Sequence, residues 1–142
     1  MVTIQAAVLI ETARELVRAK VKYLHQGRNL NGLDCIGMVL YILGKHQVLP
    51  TDFERRNYGR LPLGELLSKT SVYCEKIDSP VNGCMVLITW PGERRPSHVA
   101  LYTDGNLIHC YATARKVVEH GFRAPWTRWA NSYHKLPGVI YE

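Results

Sequence analysis

Cys35 directly follows Asp34 in "NGLDCIGMVLYILGKH" (Asn31 to His46), where a loop gives way to an apolar run of helical character. A thiol in the first turn of a helix meets the positive end of the macrodipole and unpaired backbone N–H groups, and both favour thiolate. A histidine beside it would lower its pKa further and act as general base and acid. A second histidine could orient the first, the part played by a carboxylate or asparagine in other triads. The backbone N–H of Cys35 would face a developing oxyanion. His98 and His109, further along the chain, supply the missing parts. The expected set is Cys35 as nucleophile, His98 as base and His109 as its orienter.

Whether the two histidines can cooperate depends on one turn. "SHVALYTDGNLIHCYA" reads as a hairpin, with β-rich runs on either side of Asp104-Gly105, a type I′ turn signal. A two-residue turn there pairs Thr103 with Asn106, and sets His98 opposite Tyr111 and His109 opposite Ala100. The histidines are then diagonal neighbours on one face, roughly 7 to 8 Å apart at the backbone. The other face, with Val99, Leu101, Ile108 and Cys110, is a core face. A loop one residue longer or shorter would separate the histidines.

Other elements must place these parts. Ala6, Ile10, Ala13, Val17 and Val21 recur at helical spacing, so a first helix is expected from Thr3, as cap, to about Lys22. "YLHQGRNLNG" reads as a loop. The second helix opens at Asp34, a good N-cap, and closes near Gly44. "LPTDFERRNYGRLP" reads as a further loop and Leu63 to Lys69 as a short helix entered through Pro62. "CMVLITW" suits a buried strand, "RKVVEHGF" another, "APWTRWANSY" a helical turn and "GVIYE" a last short strand. Helices followed by an antiparallel sheet make an α+β domain. At 142 residues the chain has the size of one domain, residues 1–142, with no internal repeat or linker.

Composition narrows the function classes. An apolar share of 46% and a charged share of 21% belong to a folded domain. The apolar runs fall far short of the roughly 18 to 20 residues of a spanning helix, so no membrane insertion is expected. The first twenty residues lack a signal-peptide pattern, which points to a chain cytoplasmic as synthesised. The net charge of +6 favours anionic partners, but the basic spots at Glu54 to Arg60 and Gly92 to Pro96 are short, and no nucleic-acid-binding signature accompanies them. The four cysteines form no C-x-x-C pair, and Cys74, Cys84 and Cys110 are expected to be inert buried thiols. Cys35, His98 and His109 are also zinc-ligand types, but no fourth ligand follows at a standard spacing. No metal or organic cofactor is required. His25, His46, His120 and His134 read as surface or capping residues, and Trp90, Trp126 and Trp129 as core aromatics.

"LDCIGMVLYIL", "SHVALY" and "GNLIHCY", in that order, resemble the NlpC-type cell-wall cysteine peptidases, with the apolar run ending at Trp90 in the position of the family's first strand. The resemblance spans roughly Ala13 to His120 and implies a compact papain-like fold. It also implies an endopeptidase that cuts stem peptides of peptidoglycan, typically beside D-glutamate and a diamino acid. "HQGRNLNGLDCIG" and "LIHCYATARKVVEH" are most similar to the branch carried in phage tails, which implies other tail proteins as partners and a place in a tail particle acting on the wall. Tyr23 matches a tyrosine that lines the family's substrate cleft, and Asp34 the acidic residue before the cysteine, so both are expected at the substrate. Ile36 stands where serine is usual, Ala100 where glycine is frequent and Cys84 where aspartate is usual. Alternatives within the same fold are an inactive tail structural protein, or an amidase or acyltransferase using the same Cys-His-His set.

Overall fold

The computed structural model describes residues 2–48 and 73–141. The expected loop after Leu49, the basic spot at residues 54–60 and the expected helix over residues 63–69 lie outside the described residues. The rest is the α+β arrangement read from the sequence, with two helices packed on one face of an antiparallel sheet.

The chain opens with a two-residue strand, β1 (Ile4–Gln5), and runs directly into α1 (Ala6–Arg18). Thr3 is not the helix cap. Ile4 and Gln5 are held extended by parallel pairing with β10 (Val139–Ile140), which moves the helix start to Gln5, where no side chain caps it. Leu9, Ile10, Ala13 and Leu16 of α1 face the core. The expected loop after α1 contains a small hairpin, β2 (Arg28–Asn29) and β3 (Gly32–Leu33), that delivers the chain to α2 (Cys35–Lys45). Asp34 caps α2 as its side chain accepts from the Gly37 N–H at 2.7 Å.

Beyond the helices lie β4 (Glu75–Ile77), β5 (Met85–Ile88), β6 (His98–Thr103), β7 (Asn106–Cys110), β8 (Val117–Gly121), the short α3 (Trp126–Trp129) and β9 (Ala130–Lys135). The six-stranded sheet runs β4-β9-β5-β6-β7-β8. The β6–β7 hairpin has the expected register, Thr103 opposite Asn106 and Leu101 opposite Ile108. Asp104 and Gly105 both have positive φ, as type I′ requires. Asn82 clamps the turn: its side chain accepts from the Asp104 N–H at 2.7 Å and donates to the Asp104 carboxylate at 3.0 Å.

Val99, Leu101, Ile108, Cys110 and Val117 meet the helices in the larger core, together with Leu9, Met38, Ile42 and Leu87. Val86, Ile88, Ala100 and Leu107 form a second cluster on the opposite face, covered by Trp90, Phe122, Trp126, Trp129 and Tyr133. All four cysteines are free thiols; Cys84 and Cys110 are buried, and the Cys110 thiol donates to the Leu33 carbonyl.

The seat of α2 requires two glycines. A Cβ on Gly37, in the first turn, would collide with the Gly27 carbonyl and crowd the Arg28 guanidinium, while one on Gly27 would collide with the Gly32 carbonyl. The loop therefore lies directly on the helix start. Glycine to alanine inside a helix ordinarily stabilises by about 1 kcal/mol. Gly37→Ala is expected to reverse that sign and destabilise by about 1–3 kcal/mol, because backbone must move to admit the methyl. Urea denaturation of the variant reads the sign directly, and a gain in stability would contradict this packing.

Candidate active site

Cys35 is the first residue of α2, so its backbone N–H is among the donors that a helix leaves without an internal partner. Asp34 fixes this start from outside the helix. One carboxylate oxygen accepts from the Gly37 N–H and from the Arg28 guanidinium at 2.9 Å, and the other accepts from the Gln26 N–H at 3.1 Å. Both side chains of the ion pair are largely buried. Asp34 thus ties the helix start to the loop before it, with its carboxylate accepting from Gly37, Arg28 and Gln26. Tyr23 lies half-buried against the main core, and its backbone N–H donates to the Arg115 carbonyl.

The thiol of Cys35 lies against β6, where the backbone of Val99, the residue after His98, hydrogen-bonds to it. Next comes a row of imidazoles. His98 Nε2 and His109 Nδ1 are 2.7 Å apart, and His109 Nε2 and His120 Nε2 are 2.7 Å apart. His120 Nδ1 is 2.9 Å from the carbonyl oxygen of Gly121. His98 and His109 are buried, at 3% and 0% exposure, and His120 is half-buried. The structure brings together the two histidines expected from the hairpin and adds a third, which reads from sequence as a surface residue.

Aromatic rings wall the row. The Trp90 ring is 4.8 Å from His98, Tyr111 stacks on His109 at 4.7 Å, and Trp126 meets His109 edge-on at 4.9 Å and His120 at 4.8 Å. An open cleft of about 670 Å³, lined by Tyr111, His120, Arg123, Pro125 and Trp126 among others, reaches the row at His120.

Burial controls the proton affinities. The Cys35 thiol is pushed up to about 12, first by burial and then by the neighbouring Asp34 carboxylate, against hydrogen bonds from the Val99 and Ile36 backbone and the charge of Arg28. His98 is pushed down to about 3 by burial. His109 is held well below the usual imidazole range by burial and by its two imidazole neighbours. The helix start and the nearby histidine do not leave the thiol ionised, as the sequence suggests. Burial thus disfavours the charged forms of the Cys35 thiol, His98 and His109 alike. Among the described residues no group of His, Cys, Asp and Glu side chains is placed to hold a metal ion. Within the row, the facing ring nitrogens are spent on one another.

No protein-family model and no curated protein matches the chain. Solved structures do. An NlpC/P60 family protein from Bacillus cereus matches with a TM-score of 0.72 and 21% identity over 95% of this chain and 41% of that one. The NlpC/p60 domain of the peptidoglycan hydrolase SagA matches with a TM-score of 0.65 and 15% identity over 93% and 99% of the two chains. The peptidoglycan hydrolase RipB from Mycobacterium tuberculosis matches with a TM-score of 0.64 and 19% identity over 96% and 65%. The chain thus spans less than half of the Bacillus cereus protein and nearly all of the SagA domain. The fold is the papain-like α+β fold of NlpC/P60 proteins.

Two expectations follow from the electrostatics. An imidazole whose folded pKa is depressed binds its proton in the unfolded chain first, so stability falls with pH once the ordinary value near 6.5 is passed. Each of His98 and His109 is expected to contribute a loss of up to about 1.4 kcal/mol per pH unit below that point. Urea midpoints measured between pH 7 and pH 4 test this, and a flat profile would mean that the row is hydrated. Asp34→Asn keeps a capping side chain and removes the charge that holds the thiol up, so the Cys35 ionisation should move to lower pH. Iodoacetamide alkylation rates across a pH series, with the site of modification mapped by mass, read that shift.

Proposed function

We propose that the chain is a cysteine peptidase hydrolysing stem-peptide bonds of bacterial peptidoglycan. The observation that carries this reading is the 2.7 Å contact between His98 and His109, with the thiol of a helix-opening cysteine, Cys35, held by the backbone of Val99, the residue after His98. It occurs in a fold shared with SagA and RipB, both described as peptidoglycan hydrolases.

His98 uses Nε2 on His109, which leaves Nδ1 for the thiol. Proton transfer from Cys35 Sγ to His98 Nδ1 accompanies attack of the sulfur on the scissile carbonyl, since neither ion is stable in the resting pocket. The oxyanion of the tetrahedral intermediate accepts from the Cys35 backbone N–H. As the intermediate collapses, the C–N bond breaks and His98 returns the proton to the leaving amine. Water, deprotonated by His98, then attacks the thioester; the C–S bond breaks and the sulfur recovers the proton. His109 keeps the base in one orientation throughout. Tyr23, on the loop before α2, is the candidate wall of the substrate cleft. The similarity of "HQGRNLNGLDCIG" and "LIHCYATARKVVEH" to tail-associated members supports work in a phage tail or related particle, among other tail proteins, during passage through the wall.

The test is incubation of purified peptidoglycan with the full chain and with Cys35→Ala, His98→Ala and His109→Ala, followed by mass analysis of the released fragments. Peptide-bond products are expected from the parent chain and none from Cys35→Ala. His98→Ala should lose about 10³-fold or more, and His109→Ala about 10²-fold or more, as parts of one proton-transfer unit. Equal digestion by Cys35→Ala would end the reading. Products of amide or acyl exchange without hydrolysis would move it to a transferase.

A further inference from the structure

We infer that His120 is a positioning residue that sets the tautomer of the base His98 through His109, with the Gly121 carbonyl as the fixed end of the chain. The inference rests on the reading of Cys35, His98 and His109 as the reacting set.

A backbone carbonyl can only accept, so His120 Nδ1, 2.9 Å from the Gly121 oxygen, carries a proton. His109, buried between two imidazoles, has one donor and one acceptor nitrogen to share between them, and the geometry assigns its Nε2–H to His120 Nε2, 2.7 Å away. That leaves His109 Nδ1 bare, to accept from the His98 Nε2–H at 2.7 Å. His98 Nδ1 is consequently unprotonated, the state in which it can take the Cys35 proton. Once His120 Nε2 accepts, each inner ring, with one donor and one acceptor, passes the same direction to the next. A donor in place of His120 Nε2 would reverse both inner bonds and put the proton on His98 Nδ1, silencing the base.

His109 alone cannot decide this. It is fully buried between two other imidazoles, and either tautomer satisfies both neighbours. The asymmetry enters only where the row meets a group of fixed polarity, and that group is the backbone of Gly121. The strand bearing it is held firmly: Glu119 receives two hydrogen bonds from the Arg14 guanidinium of α1, at 3.2 and 3.0 Å, and one from the Asn106 side chain at 3.0 Å.

The test is NMR of the full chain labelled with ¹⁵N in its histidine rings, which reports the nitrogen that bears each proton without any substrate. The parent chain should show His98 and His109 protonated at Nε2 and His120 at Nδ1. His120→Leu removes the acceptor and should slow Cys35 alkylation about a hundredfold, the scale of a lost general base; His120→Gln, whose amide oxygen accepts, should restore most of that rate. His120→Lys, which can only donate, should move the His98 proton to Nδ1. A merely packing role would rank these variants by size, and the poor fit of lysine would then be shared by glutamine. A parent His98 protonated at Nδ1, or a His98 tautomer unmoved in both His120→Leu and His120→Lys, would overturn the inference. If His120→Lys does not fold, the His120→Leu and His120→Gln pair decides. Tautomers as assigned in a chain that leaves peptidoglycan uncut would refute the proposed substrate and leave the role of His120 standing.

Discussion

The register of one hairpin governs everything the site can do. Side chains alternate across a sheet, so a slip of one residue at Asp104-Gly105 would send His109 into the helix-facing core and bring Ile108 or Cys110 to His98. The turn has no slack. Both central residues take positive φ, and Asn82 grips Asp104 through backbone and side chain together. The same parity then runs into β8, where Leu107 faces His120 and His109 faces Val118. In each of the two hairpins the next histidine falls two positions off the directly opposed residue, so three histidines eleven residues apart form a diagonal row across three strands.

The helix that brings Cys35 to this row is placed by a carboxylate that works against the thiolate. Asp34 joins the helix start, the β2–β3 loop and Arg28 through one side chain, and its charge helps push the thiol up. Arg28 offsets part of that penalty at the sulfur while neutralising the acid. A capping serine would spare the thiol the charge but could not hold both the guanidinium and the Gln26 N–H. Rigid placement of the nucleophile is obtained at the expense of its acidity.

Much of this was legible in the sequence wherever chemistry and periodicity coincide. Asp34 before an apolar run announced α2, and Asp104-Gly105 between β-rich runs announced the β6–β7 hairpin with its register. The resemblance of three short blocks pointed to the papain-like fold. Strand β9 was not legible: Ser132 and His134 point inward at positions where a strand ordinarily shows apolar residues, and the Ser132 hydroxyl and His134 Nε2 satisfy one another at 2.7 Å. Without an apolar alternation, "ANSYHK" reads as a continuation of the turn before it. Thr3 misled because its cap role competes with strand pairing to residues 139–140, a contact between chain ends that no local pattern encodes. His120 was hidden for a related reason. The β7–β8 connection over residues 111–116 carries no two-residue turn signal, so its parity had no anchor in sequence; only the equal spacing of His98, His109 and His120 hinted at a row.

The aromatic wall explains why a row of histidines is useful here. A carboxylate as orienter would bring a negative charge into a pocket closed by Trp90, Tyr111 and Trp126, and that charge would need its own compensation. Imidazoles orient one another without bringing in a carboxylate, and burial disfavours charge on both His98 and His109. The consequence is that the set gains direction from geometry and not from electrostatic pull. A carboxylate imposes polarity on its neighbour by being unable to donate, whereas an imidazole does so only if its own far nitrogen is committed. A neutral relay therefore has to end on a group that cannot change sides, and a backbone carbonyl, which has no proton to give, is such a group.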